Sequence, residues 1–484
     1  MIGYDTVMGD QFYVHLETSN KSFIEMHYFL KQLGIQNNTF MLKLYNTNLV
    51  GVNPHDPNLS QMQKAMILKE CIMNYWYFIR EVVRIPVQGT GDQGAPYKLH
   101  IGNLSMGVLF LCDISMYVEF SRQHFKTKSA LCWYLWLYNF AASNSEIMLA
   151  HKSLSGSKAN LKDLKDIRDM LPSYLQMSGN IGIDGKKLKV PNTVQTIQHP
   201  LNHNTIVTYA SARSKEAADK MGRGATISCQ YLDETAFIPY ISYFYAAAAP
   251  AYSRAARNAE ANGVHYGILL TTTPGDLATE EGQFVFNLRN NATPWSLRYL
   301  DMTKAQLKAL RDANTNSQFF SLIYTYQQLG SGPDYFKDMV ILLNRNWLAI
   351  KREILLIWNN LASNCPFSSE QLDLIKDNCH DPIRTIFFGQ YNQYQMQIYE
   401  EIDLRYPPII GVDVSGALYN DSSAITIIDS RTTRVCAVLN CNYIPSDDLA
   451  DVIYVLVSKY MPNAIVNCER NGEKERNGNN LLVA

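Results

Sequence analysis

The chain contains no run of roughly 18 residues free of polar or charged side chains, and its N-terminus lacks a basic stretch followed by an apolar core and a cleavage site. Both absences predict a soluble, intracellular protein without a membrane partner. A surplus of one charge is also missing. The net formal charge is −1, so no global attraction to nucleic acid is expected, and contact with DNA would have to come from local basic surface or from a ring of subunits. The nine cysteines show no C-x-x-C spacing, which predicts buried thiols in a reducing compartment rather than a disulfide framework or a zinc site. The most telling shortage is local. Ser121-Arg122-Gln123-His124-Phe125-Lys126-Thr127 has no glycine, although it joins a strand-like run, Met116–Phe120, to a helix-like run, Thr127–Phe140.

A basic, hydroxyl-bearing turn in that position is where a nucleotide phosphate binds. The N–H groups at a helix start and the positive end of its dipole favour an anion, a lysine reaches the outer phosphates, and a hydroxyl can hold Mg²⁺. Lys126 and Thr127 fit the last two roles. Phe125 stands where such a loop ordinarily carries glycine, and a K-T pair by itself is commonly just a helix start. The downstream order strengthens the reading: Tyr231-Leu232-Asp233-Glu234 and Gly267-Ile268-Leu269-Leu270-Thr271-Thr272-Thr273-Pro274 close two further apolar runs with acidic and hydroxyl side chains.

With 484 residues and 47% hydrophobic side chains, the chain can fill more than one core. Residues 1–95 are expected to be mostly helical, with Leu59–Val83 one helix, and carry no recognisable chemistry. Residues 96–363 alternate strand and helix, the pattern of a parallel α/β sheet of the P-loop NTPase class with helical flanking regions. Its strands are placed at Met116–Phe120, Glu146–Ala150, Thr205–Ser211, Ile227–Leu232 and His265–Thr272, and its helices at Thr127–Phe140, Ser157–Leu171 and Tyr240–Ala261. Gly182–Ile197 reads as a two-stranded insertion turning at Asp184-Gly185, and residues 283–363 as a mainly helical lid ending in a helix over Met339–Leu361. Residues 364–408 form a connector, and 409–484 a second α/β domain whose first strand bears Asp413 and whose fourth ends at Glu469.

ATP hydrolysis needs a phosphate cradle, Mg²⁺, a group that orients water, and positive charge against the transition state. Lys126 would hold the β/γ-phosphates, Thr127 and Asp233 the metal, and Glu234 the attacking water; Arg122 and Arg223 are candidates for the charge. Thr271, Thr272 and Thr273 would sense the γ-phosphate and relay its loss. Each has a plain alternative: a carboxylate pair capping a strand, surface arginines, β-branched residues closing a strand. Lys152, Lys158, Lys162, Lys165 and Arg168 form a basic stripe on an amphipathic helix, which is equally the pattern of a solvated face.

The ordered set Ser-Arg-Gln-x-x-Lys-Thr (121–127), Ala150-His151-Lys152, Thr208-Tyr209-Ala210-Ser211-Ala212, Leu232-Asp233-Glu234-x-Ala236-Phe237-Ile238-Pro239 and Thr271-Thr272-Thr273-Pro274 resembles the large terminase subunit of tailed bacteriophages over residues 96–470. The resemblance implies an ATP-driven motor that moves double-stranded DNA into a procapsid in the host cytoplasm. Its partners would be the portal protein, the small terminase subunit and further copies of itself. It implies ATP and Mg²⁺ as cofactors, with Ser121, Arg122, Gln123, Lys126, Thr127 and Asp233 at the nucleotide and Asn103, in His100-Ile101-Gly102-Asn103, in place of the adenine-reading glutamine. It also implies an RNase H-like nuclease in which Asp413 and Glu469 hold Mg²⁺ or Mn²⁺, with Asp421 and Asp429 in structural turns. The family's further aspartate beyond Glu469 finds no counterpart before Ala484, so the nuclease domain is expected to be incomplete and its cleavage impaired. The rival readings are a P-loop helicase or repair ATPase, and a non-catalytic relative.

Overall fold

The computed structural model describes residues 1–91, 94–176, 191–224, 227–359, 371, 374–375, 377–415 and 422–469. The chain divides into two compact units, residues 1–365 and 366–484.

The first unit is a mixed α/β structure built on an eight-stranded sheet. Its spatial order is Thr293–Pro294, Phe320–Tyr324, Met116–Phe120, Gly267–Thr272, Cys229–Asp233, Glu146–His151, Thr205–Tyr209 and Thr196–Gln198. All neighbouring pairs run parallel except the last. Parallel strands covered on both faces carry continuous apolar runs, which is why Met116–Phe120 and Cys229–Asp233 are buried at every position. The strand ending in the phosphate-loop sequence therefore lies between the strand ending in the threonines and Phe320–Tyr324, and the acidic strand lies beyond the threonines.

The expected strand and helix order from 116 to 272 is present, with boundaries moved by a few residues. Elsewhere some details differ. The described part of 283–363 is mainly helical, as expected, but Phe320–Tyr324 enters the sheet beside Met116–Phe120, its apolar run being buried as a strand. The helix expected over Met339–Leu361 is two shorter helices, Pro333–Leu342 and Trp347–Glu353. They are separated where Asn344 and Arg345 take left-handed φ values of 50° and 54°, which a continuing helix cannot contain. The helix expected over Leu59–Val83 breaks at Asn74, whose φ of −137° is extended, and resumes at Tyr75–Tyr77, continuing as a π-helix over Phe78–Val82. The Asp184-Gly185 turn lies outside the described residues, whereas Thr196–Gln198 does form the sheet's antiparallel edge.

Residues 1–95 carry helices at Lys21–Gln32 and Gln61–Met73 and in addition an antiparallel sheet of Ile2–Asp5, Asp10–Val14 and Lys43–Leu44, which was not expected. They also share one hydrophobic core with the larger sheet. Tyr75 packs edge-on against Trp133 and Trp136 at ring distances of 5.1 and 5.4 Å, and Trp136 Nε1 donates to Cys71 O at 2.7 Å. The helix that starts at Lys126 is thus braced at Trp133 and Trp136 by the N-terminal segment.

The second unit carries a six-stranded sheet in the order Arg384–Phe388, Tyr394–Ile398, Val435–Cys441, Ser423–Ile428, Ile409–Asp413 and Ile465–Cys468. Only the last pair is parallel. The stretch expected as a connector therefore supplies two of its strands. Tyr394–Ile398 alternates buried and exposed, the period of a half-covered strand, and Gly389 at φ 87° serves the turn that precedes it.

Candidate functional site

The phosphate-loop sequence obtains its shape without glycine. Gln123 and Phe125 adopt left-handed φ values of 66° and 53°, a conformation that costs a side-chain-bearing residue roughly 1–2 kcal/mol. Tertiary anchors hold it there. Ser121 N donates to Tyr324 O at 3.3 Å and Arg122 N to Glu353 O at 2.9 Å, while Ser121 Oγ donates to Ile354 O at 2.7 Å. The buried His124 ring donates through Nδ1 to Ser121 O and Arg122 O and accepts from Ser331 Oγ at 2.9 Å, and Tyr335 donates to Arg122 O at 2.7 Å. Among the described residues, none accepts a backbone hydrogen bond from the N–H groups of Gln123, His124 or Phe125. Those donors and the first N–H groups of the Lys126–Trp136 helix suit an anion.

Lys126 Nζ donates to Thr272 O at 2.6 Å, a backbone carbonyl rather than a carboxylate. Thr127 Oγ1 donates to Asp233 Oδ2 at 3.3 Å, and Asn160 Nδ2 donates to the same oxygen at 3.1 Å. Asp233 Oδ1 accepts from Thr271 Oγ1 at 2.6 Å and from Glu234 N at 3.1 Å. The register explains the convergence, since Asp233 lies opposite Thr271 on one side and His151 on the other. Hydroxyl and carboxylate oxygens are the hard donors that Mg²⁺ takes. Thr127 and Asp233 therefore fit the cation. With both its oxygens already engaged, Asp233 is better arranged to hold Thr127 and a metal-bound water than to ligate directly.

Glu234 turns the chain with a left-handed φ of 55°, pointing the residue after the buried strand away from it. Its carboxylate lies 4.0 Å from Lys152 Nζ, a half-exposed pair of modest strength, and Lys152 also sits 5.1 Å above the Phe237 ring. Thr272 Oγ1 accepts from Ala236 N at 3.2 Å and donates to Thr273 O at 2.8 Å, tying the threonine segment to the turn that carries Glu234. Thr271, Thr272 and Thr273 are all buried.

The structure thus brings together Lys126, Thr127, Asp233, Glu234 and the three threonines. Arg122 stands at the loop with its guanidinium exposed and 3.6 Å from Glu353. Arg223 is elsewhere, exposed and paired with Asp219 one helical turn away at 2.7 Å. Two residues expected at the nucleotide have protein partners here. Ser121 spends its buried hydroxyl on Ile354 O and acts as a loop anchor. Asn103 is buried; its Oδ1 accepts from His100 N at 2.8 Å and its Nδ2 donates to Lys98 O at 2.9 Å, so the amide closes a helix cap. In the basic stripe, Lys162 pairs with Asp166, Lys165 donates to Thr193 O and Arg168 pairs with Asp169. For Lys162 and Lys165 these local partners favour the solvated-face alternative, whereas Arg168 is buried with Leu164 and Ile167. Asn160 and His124 were not anticipated. The signal for Asn160 was a polar residue on the buried face that carries Leu161, Leu164 and Ile167.

In the second unit, Val412 pairs in parallel with Cys468 and Glu469 N donates to Val412 O at 2.8 Å, so Asp413 and Glu469 leave adjacent strand ends with their side chains exposed. Burial, with Asp413 and Glu469 adding to it, raises the Cys468 thiol pKa. Asp429 lies at the opposite end of its strand and accepts from Arg431 N and Thr432 N at 2.9 Å, as a turn residue. Asp421 lies outside the described residues. No cluster of three or more metal-ligating side chains occurs among the described residues, nor does any helix long and apolar enough to cross a membrane.

No family model and no curated protein matches the sequence. Among solved structures, the large terminase of a thermophilic bacteriophage is similar at 11% identity and TM-score 0.33, covering 77% of each chain. The same protein in complex with ATP-gamma-S is similar at 10% identity and TM-score 0.33, covering 76% of this chain and 77% of that one. The large terminase ATPase domain of a Thermus phage is similar at 14% identity and TM-score 0.35, covering 54% of this chain and 94% of that domain. At this distance a functional reading rests on the side-chain geometry described above.

Proposed function

We propose that the first unit is an ATPase that drives double-stranded DNA into a viral procapsid, in the manner of a large terminase subunit. One observation carries the ATPase reading: the Lys126-Thr127 helix start is wired through Thr127 Oγ1 to Asp233, with Glu234 as the next residue. The open N–H groups of Gln123, His124 and Phe125 cradle the phosphates, and Lys126 exchanges the Thr272 carbonyl for them. Mg²⁺, when bound, offsets the negative charge of the β- and γ-phosphates. Glu234 orients the attacking water and accepts its proton, Arg122 supplies charge within the subunit, and exposed Arg223 supplies it to a neighbouring copy. DNA translocation is supported by the motif order along the chain and by a second α/β unit that follows the ATPase unit in the sequence. There Asp413 and Glu469, on adjacent strand ends, suit a divalent cation for phosphodiester cleavage in an RNase H-like domain. The portal protein and the small terminase subunit are the proposed partners.

Calorimetric titration of the full chain with ATP tests the phosphate site. Wild type should bind in the presence of Mg²⁺, and Lys126→Ala should bind at least about tenfold more weakly, as expected for a lost charge-assisted contact. Equal binding by both proteins would remove Lys126 from the site.

A further inference from the structure

Asp233 is held by four donors among the described residues, and Asn160 is the one that belongs to neither the phosphate loop, the acidic turn nor the threonine segment. The two carboxylate oxygens are held differently. Oδ1 is pinned by Thr271 at 2.6 Å and by the adjacent Glu234 N at 3.1 Å, whereas Oδ2 receives Thr127 Oγ1 at a longer 3.3 Å and Asn160 Nδ2 at 3.1 Å. A hydroxyl that gives its only proton to a carboxylate keeps its lone pairs for a cation. The direction of those lone pairs on Thr127 therefore depends on where Oδ2 stands.

Thr127 lies in the first turn of its helix, directly after a loop shaped by left-handed residues. Asn160 lies mid-helix between Leu154 and Asp169, buried beside Leu161 and Leu164. That helix has little freedom. Ser157 Oγ donates to Tyr209 O at 2.7 Å, and Gly156 packs so tightly on His151 that an added Cβ would fall 1.9 Å from the His151 Nδ1. Asn160 thus holds Oδ2 from a helix fixed independently of the phosphate loop, while Thr127 reaches the same oxygen at the longer distance.

We propose that Asn160 is a positioning residue: through Asp233 Oδ2 it orients the Thr127 hydroxyl toward the divalent cation that accompanies the nucleotide. The inference rests on the nucleotide-site reading above. It assigns Asn160 no contact with nucleotide or metal.

The test is Mn²⁺ binding to the full chain with ADP, followed by electron paramagnetic resonance, alongside thermal unfolding and metal-free ADP binding. Asn160→Leu keeps the volume and removes the donor. It should raise the half-saturating Mn²⁺ concentration about tenfold, the size expected for a lost hydrogen bond to a charged group, and leave metal-free ADP binding unchanged. In a Thr127→Val background the same substitution should add less than about a twofold loss, because the two residues act through one oxygen. If Asn160→Leu does not fold, Asn160→Ser carries the same expectations. Mn²⁺ curves superimposable on wild type would overturn the proposal, and so would an equal loss in both backgrounds. A wild-type chain that binds neither ADP nor Mn²⁺ would overturn the nucleotide site itself, a result distinct from either.

Discussion

Lys126 donates to the carbonyl oxygen of Thr272 at 2.6 Å, so the lysine proposed to bind phosphate rests on the threonine segment. A nucleotide that draws the ammonium away releases that carbonyl, and Thr272 Oγ1 is at the same time the acceptor for Ala236 N at 3.2 Å. In the proposed site, phosphate occupancy and the position of the Glu234 turn would thereby be linked through one residue.

Thr272→Val should break that link while retaining the buried strand. The Ala236 N–H loses its acceptor in a buried position, at a cost of roughly 1–3 kcal/mol. ATP binding should persist, while turnover falls and the unfolding temperature drops. Wild-type turnover in Thr272→Val would show that the threonine hydroxyl plays no part in the coupling.

Phe125 offers a test of the loop. Its φ of 53° is the conformation that glycine adopts freely, so Phe125→Gly should retain nucleotide binding. Phe125→Val places a β-branched residue in that conformation, where it is least tolerated, and should weaken ATP binding and stability together. Binding by Phe125→Val equal to that of Phe125→Gly would contradict a requirement for the left-handed turn.

The sequence made much of this legible, and for a physical reason. Fully buried parallel strands are continuous apolar runs, and their polar ends stand out, so Met116–Phe120, Asp233-Glu234 and Thr271–Thr273 were all visible. Phe320–Tyr324 was hidden because a short apolar run between helices has no period of its own. For Asn103 and Ser121 the chemistry suits a ligand as well as a cap or an anchor, and their partners Lys98 O, His100 N and Ile354 O are visible only in the structure. Asn160 meets Asp233 across 73 positions in the sequence, a pairing that no local pattern encodes.

His100 gives the first unit a pH dependence. It caps the helix Ile101–Leu111, and burial, assisted by His124, lowers its pKa from 6.5 to about 3. The unfolded chain therefore takes up a proton that the folded one refuses, and stability falls as pH drops from about 6.5 toward 3. Between pH 7 and pH 5 the loss from this group is up to roughly 2 kcal/mol. His100→Asn retains a capping acceptor and should reduce the difference between urea unfolding curves at the two pH values; an unchanged difference would exclude His100 as its source.

The central claim is that Glu234 activates water beside a nucleotide held by Lys126 and Thr127, and single-turnover hydrolysis by Glu234→Gln measures it most directly. Glutamine keeps the shape of the side chain and loses the base, so the variant should bind ATP like wild type and hydrolyse it on the order of 10²-fold more slowly. Hydrolysis by Glu234→Gln at the wild-type rate, with ATP bound equally well, would contradict the account.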